Sequence, residues 1–208
     1  MIKIIKKLIR KTPLYHPMLH AIEISGWVKD GRPMPPPHVI KQRVLLNYAK
    51  RYGLSILVET GTYRGGMVEA MRTRFHRIYS IELSRELYEQ AVIRFEGSNN
   101  IELFHGDSAV ELEHVVNSLN QPALFWLDGH YSGAATARGT SDTPVFEELN
   151  QIFSSKQKGH VIIIDDARCF GVNPGYPTID ELIAYVKSLR QDVDIAVDLD
   201  SIRITPKR

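Results

Sequence analysis

From residue 54 onward, short apolar runs alternate with stretches of helical period, and the apolar runs end at or next to acidic residues. That alternation constrains the fold more than any other feature of the chain. LSILVE (54–59), RIYSIE (77–82), IELFHG (101–106), PALFWLD (122–128) and HVIIID (160–165) read as strands. The segments 67–75, 84–95, 108–119, 144–153 and 178–189 read as helices, with Leu87, Ala91 and Phe95, or Val145, Leu149, Ile152 and Phe153, at helical spacing. DIAVD and SIRIT, separated by Leu199 and Asp200, predict a closing antiparallel hairpin. Repeated strand–helix units need crossover connections, so they predict a doubly wound, mostly parallel α/β sheet with helices on both faces. The nearly continuous apolar character of the strands fits a sheet buried on both sides.

The 208 residues are 43% hydrophobic and 24% charged, enough for one well-buried core and outside the range of disordered chains. No apolar run approaches the roughly 18 residues needed to span a bilayer. A single cysteine, Cys169, excludes an internal disulfide and a Cys-rich zinc module, and points to a reducing, cytoplasmic setting. The net charge is +2, yet residues 1–11 hold Lys3, Lys6, Lys7, Arg10 and Lys11 and no acid. The remainder is therefore slightly acidic, which argues against a nucleic-acid partner.

In MIKIIKKLIRK, Ile2, Ile5, Leu8 and Ile9 fall at helical spacing with cations between them, which reads as a short basic amphipathic helix. It suits a weak peripheral contact with an anionic membrane, at about 1 kcal/mol per basic residue near the surface. The short apolar face limits that reading, and the alternative is a helix packed on its own domain or on the twin subunit of a homodimer. GRPMPPPH (31–38) favours an extended connector. The expected organisation is a basic helix and connector over 1–40 and a single domain over 41–208.

Ligands of doubly wound sheets bind beyond the carboxyl ends of the strands, where the strand order reverses. Glu59, Glu82, Asp107, Asp128, Asp165 and Asp166 all fall at or just past a strand end. After the first strand, Glu59-Thr60-Gly61-Thr62-Tyr63-Arg64-Gly65-Gly66 allows a tight turn and close backbone approach to a ligand. Its spacing is neither G-x-G-x-x-G nor a phosphate-binding P-loop, and Glu59 suits a cationic group on the ligand. An acid at the position of Glu82 suits a ribose diol. Asp107 suits an adenine amino group, although Asp107 or Ser108 could instead cap the next helix.

In that order the motifs resemble class I S-adenosylmethionine-dependent methyltransferases. VETGTYRGG is similar to the family's first motif, IYSIEL to its ribose-binding acidic motif and HGDS to its adenine-binding motif. The resemblance covers roughly 54–205. It implies a Rossmann-like seven-stranded sheet and S-adenosyl-L-methionine as cofactor. It also implies cofactor contacts from Glu59, Gly61, Thr62, Gly65, Glu82, Asp107, Ser108 and Asp128.

A second constellation lies at the fourth and fifth strand ends. Neighbouring strands run about 4.8 Å apart, so Asp128 can meet Asp165 and Asp166. Consecutive residues of a continuing strand face opposite ways, so Asp165 and Asp166 share a site only if the chain turns there. Three carboxylates with water would suit Mg²⁺, Mn²⁺ or Ca²⁺. Alternatively, one Asp contacts the donor's amine and the others cap a helix or bind water. The arrangement resembles metal-dependent small-molecule and sugar O-methyltransferases. That resemblance implies Asp128, Asp165 and Asp166 as metal ligands, and His130 as base with Asp128 beside it as a catalytic residue. It implies O-methylation of a hydroxylated small molecule or glycan intermediate. A metal-free N- or O-methyltransferase and a non-catalytic nucleoside-binding module are the competing readings.

Overall fold

The computed structural model describes residues 15–129 and 143–207, with side chains from residue 17. Seven strands form one sheet: β1 (Ile56–Thr60), β2 (Arg77–Glu82), β3 (Ile101–His105), β4 (Leu124–Leu127), β5 (Val161–Ile164), β6 (Val193–Asp198) and β7 (Ser201–Pro206). Their order is β3-β2-β1-β4-β5-β7-β6. β7 runs antiparallel to both β5 and β6, and the pairs among β1 to β5 are parallel. This is the expected doubly wound sheet with its closing hairpin. Strand order reverses between β1 and β4, so the ligand crevice of such a sheet opens at their carboxyl ends.

Period-two alternation divides the sheet's side chains between two cores. Leu57, Ile78, Leu124, Trp126, Val161 and Ile163 pack on one face. That face is covered by α2 (His38–Tyr52), α3 (Gly66–Met71) and α4 (Arg85–Arg94). Ile56, Val58, Phe125, Leu127, Ile162 and Ile164 pack on the other. The covering helices there are α5 (Ser108–Ser118), α6 (Val145–Ser154) and α7 (Ile179–Leu189).

Two helices precede the sheet, α1 (Tyr15–Lys29) and α2, neither of them anticipated from the sequence. In α2, Val39, Ile40, Val44, Leu45 and Ala49 are buried, and Gly53 ends the helix with a left-handed φ of 67°. Trp27 of α1 packs with Val39 and Ile40, and Ile24 and Leu199 join the cluster. The Trp27 indole N–H donates to the Pro33 carbonyl at 2.8 Å, which folds the proline-rich segment back on α1. The basic stretch 1–11 lies outside the described residues. Among the described residues, no helix is long and apolar enough to cross a membrane.

Helix α7 begins with a capping box: Thr178 Oγ1 accepts the Glu181 N–H, and the Glu181 carboxylate accepts the Thr178 N–H. Losing an N-cap hydroxyl costs about 1 kcal/mol. Thr178→Ala is therefore expected to lower Tm by about 3 °C, read by thermal melting. An unchanged Tm would mean the box contributes nothing measurable.

Candidate functional site

The first half of the site is the turn from β1 into α3. Gly61 has φ +84°, and a Cβ placed there would lie 2.5 Å from the Asp128 carbonyl oxygen. The β1 and β4 ends thus approach backbone to backbone. The N–H groups of Gly61 and Thr62 both donate to the Ile81 carbonyl, which ties the turn to β2. Gly65 has φ +70°, and a Cβ there would strike the Phe95 ring at 2.7 Å.

Glu82 holds this turn from the end of β2. Its Oε2 accepts the Tyr63 N–H at 2.6 Å and its Oε1 accepts the Ser84 N–H at 2.8 Å. Tyr63 is itself left-handed at φ 49°, a conformation most residues resist. Burial pushes the Glu82 carboxyl up, and these amide donors pull it back. Glu59 is 2% exposed and lies on the α2-facing side of β1. Its Oε2 accepts from Ser80 Oγ at 2.7 Å, and Ser80 Oγ lies 2.6 Å from Thr62 Oγ1. Burial pushes Glu59 up to about 8; Ser80 opposes this and Glu82 adds to it. Asp107 caps α5, its Oδ1 accepting the Ala109 N–H at 3.0 Å. Ser108 is the first residue of α5 and is buried.

The second half gathers at the ends of β4 and β5. The parallel pairing continues past the strands, with the Asp165 N–H donating to the Leu127 carbonyl at 3.0 Å. Leu124, Trp126 and Val161, Ile163 face α2, so strand alternation points Asp128 and Asp165 the same way. The chain then turns at Asp166, which is left-handed at φ 56°, ψ 42°. The turn is held from behind. Arg168 bonds both Asp166 (2.8 Å) and the buried carboxylate of Asp200.

Into this cluster comes Lys41, from the first turn of α2. Its ammonium is hydrogen-bonded to Asp165 Oδ2 and lies 3.6 Å from Asp166 Oδ1. Burial opposes the lysine's charge, but Asp165 outweighs it and holds Lys41 above its ordinary value, with help from Asp128 and Asp166. Burial raises Asp165 to about 6, with Lys41 pulling it down. Burial and Asp165 raise Asp128 well above its ordinary value, against the same lysine. Asp128, Asp165 and Asp166 thus share an electrostatic neighbourhood, as the sequence suggested, but with a fixed cation among them.

The donor set as folded does not fit a divalent ion. Asp165 Oδ2 is engaged by an ammonium that also approaches Asp166. Among the described residues, no three His, Cys, Asp or Glu side chains are grouped to hold one metal. The expected Mg²⁺, Mn²⁺ or Ca²⁺ is therefore not carried into the mechanism. His130 falls outside the described residues, so its expected role as base is not located by the fold.

Sequence reasoning missed Lys41 and a second residue, Glu148. The signal for Lys41 was present in HVIKQRVLLNYAKRY, where apolar residues recur at helical spacing around a single first-turn lysine. Glu148, on α6, is 0% exposed and lies beneath the β1 and β4 ends. A Cβ at Gly129 would sit 3.2 Å from Thr60 Oγ1 and 3.4 Å from Ser108 Oγ. Those two hydroxyls also approach Glu148, although neither of its oxygens has a well-formed hydrogen bond. Burial pushes Glu148 up to about 7, and the two hydroxyls pull it back. Between α6 and α7, an open cleft of about 710 Å³ is lined by Phe146, Tyr176, Pro177 and Tyr185.

No family model matches the chain, and no curated protein matches it. Solved structures do. The O-methyltransferase from Bacillus cereus in complex with SAH superposes with a TM-score of 0.60 at 13% identity, over 91% of this chain and 90% of that one. TomG, an O-methyltransferase from Streptomyces achromogenes involved in tomaymycin synthesis, solved with SAM, gives 0.57 at 15% identity, over 91% and 89%. The N-methyltransferase NodS from Bradyrhizobium japonicum WM9 gives 0.54 at 14% identity, over 81% and 95%. The chain therefore shares the Rossmann-like fold of these methyltransferases over most of its length.

Proposed function

We propose that this protein is an S-adenosylmethionine-dependent methyltransferase that acts on a hydroxyl group of a small molecule or glycan intermediate. The observation that carries the reading is the strand-end geometry at the switch point. Gly61 meets the Asp128 backbone where no side chain fits, and Glu82 ties the same turn to β2. These residues fit the donor. Gly61, Thr62 and Gly65 leave backbone next to its methionine part. Glu82 keeps carboxylate lone pairs for the ribose diol while its amide bonds fix its position. Asp107 and Ser108 take the adenine, and Glu59 and Asp128 face the cationic amino group.

The donor, when bound, supplies a methyl group on a positively charged sulfur. The protein's part is to orient the acceptor and to accept its proton, and orientation alone accounts for several kcal/mol of such barriers. His130 is the proposed proton acceptor. Two of the solved neighbours described above are O-methyltransferases, which favours oxygen as the acceptor atom. Residues 1–11 would add a weak contact with an anionic membrane, which sedimentation with anionic vesicles tests.

Calorimetric titration with S-adenosylhomocysteine tests the reading. The expected result is a micromolar Kd that Glu82→Gln weakens at least tenfold, since hydrogen bonds to a charged group contribute about 1.5 to 3 kcal/mol. No binding by the wild-type protein would overturn it.

A further inference from the structure

Strand alternation points Glu59, Asp128 and Asp165 toward the face covered by α2. The left-handed turn at Asp166 brings a further carboxylate to the same place. Acidic groups gathered in a half-buried crevice need a cation. Lys41 supplies one, and it is not a surface lysine. Its side chain is only 17% exposed, its ammonium bonds Asp165, and it stands 6.0 Å from the centre of the buried Trp126 ring. Val44, Leu45 and Ala49 anchor its helix against the sheet. Asp165 Oδ1 is buried with no hydrogen-bond partner among the described residues, so one acceptor atom of the crevice still lacks a donor.

We propose that Lys41 is the resident cation of the acceptor site, the counter-charge that Asp165 and Asp166 share. The proposal rests on the methyltransferase reading for the word acceptor, but not for the cation itself. An ammonium has three N–H donors, and Asp165 Oδ2 takes one. The others remain to orient an acceptor hydroxyl or carboxylate oxygen. An acceptor oxygen on this side of the crevice is therefore bound and aligned by an ammonium, without a metal.

The test is Mn²⁺ binding to the full chain, read by electron paramagnetic resonance, with S-adenosylhomocysteine titrated in parallel. Wild-type protein is expected to bind Mn²⁺ with a Kd above about 1 mM, about −4 kcal/mol or weaker. Lys41→Ala, which frees the carboxylates, is expected to bind it at least tenfold more tightly. Lys41→Arg, which keeps the charge, is expected to behave as wild type. Binding of S-adenosylhomocysteine at any affinity by each variant reports that it is folded. Wild-type Mn²⁺ binding at micromolar Kd would overturn the proposal, and so would no gain in Lys41→Ala. If Lys41→Ala does not fold, Lys41→Gln takes its place. The wild-type titration gives its own answer whatever the variants do. Failure of the methyltransferase reading would appear separately, as absent S-adenosylhomocysteine binding by the wild type.

Discussion

Gly61→Ala is expected to destabilise the protein by about 3 kcal/mol and to abolish S-adenosylhomocysteine binding. Two costs add. The residue is left-handed at φ +84°, and a Cβ in that region costs roughly 1 to 2 kcal/mol. The new methyl would also meet the Asp128 carbonyl oxygen at 2.5 Å, with the carbonyl carbon at 2.8 Å. These are backbone atoms, held by the Asp128 N–H bond to the Thr60 carbonyl, so no rotamer change relieves the clash. Overpacking of this kind costs about 1 to 3 kcal/mol. Relief requires β1 and β4 to part at the point where the donor would bind. Thermal melting should show a fall of about 10 °C. A variant with wild-type Tm and affinity would mean the close approach has no role.

Glu148→Gln is expected to gain stability relative to wild type as pH rises, by about 2 to 3 kcal/mol between pH 5 and pH 8. Glu148 is fully buried, and burial raises its carboxyl from an ordinary value of 4.5 to about 7. The folded state therefore holds a proton that the unfolded chain releases above about 4.5. Its contribution to stability is fully present below pH 4.5 and is lost as pH rises through about 7. One pKa unit corresponds to about 1.4 kcal/mol, which sets the expected size. Glutamine carries no proton to lose, so it escapes this penalty.

Other groups titrate in both proteins and cancel in the difference. Glu59, raised to about 8 by burial, acts in the same direction as Glu148. His160, lowered to about 4 by burial, acts the other way, losing stability as pH falls below 6.5. Urea melts of variant and wild type at the two pH values check the prediction. A difference that stays constant with pH would show that Glu148 is ionised in the folded protein throughout.

The half of the candidate site at the ends of β1, β2 and β3 was legible because its signals are local. Each strand is a short apolar run, and each ends where the next residues turn polar. Glu59, Glu82 and Asp107 could be placed from the strand they follow, and Gly61 and Gly65 from the turn they allow. The capping role of Asp107, weighed beside its adenine contact, is one that the fold does give it. The condition set for Asp165 and Asp166, that the chain must turn between strand and loop, is met by a left-handed Asp166.

The sequence by itself determined the order of strands and helices from residue 54 onward, the two-sided burial of the central strands and the row of acids at the sheet's carboxyl edge. Period-two and helical patterns are properties of neighbouring residues, and burial of apolar surface enforces them wherever the chain lies. What neutralises those acids was decided only by tertiary structure. Lys41 reaches Asp165 across 124 positions of sequence, because Val44, Leu45 and Ala49 dock their helix on the β4–β5 side of the sheet. Glu148 meets Thr60 and Ser108 by the same kind of long-range packing, α6 against the opposite face. Local patterns state which residues must be buried. The charges that become partners depend on which helix covers which strand, and that follows from packing the whole core at once.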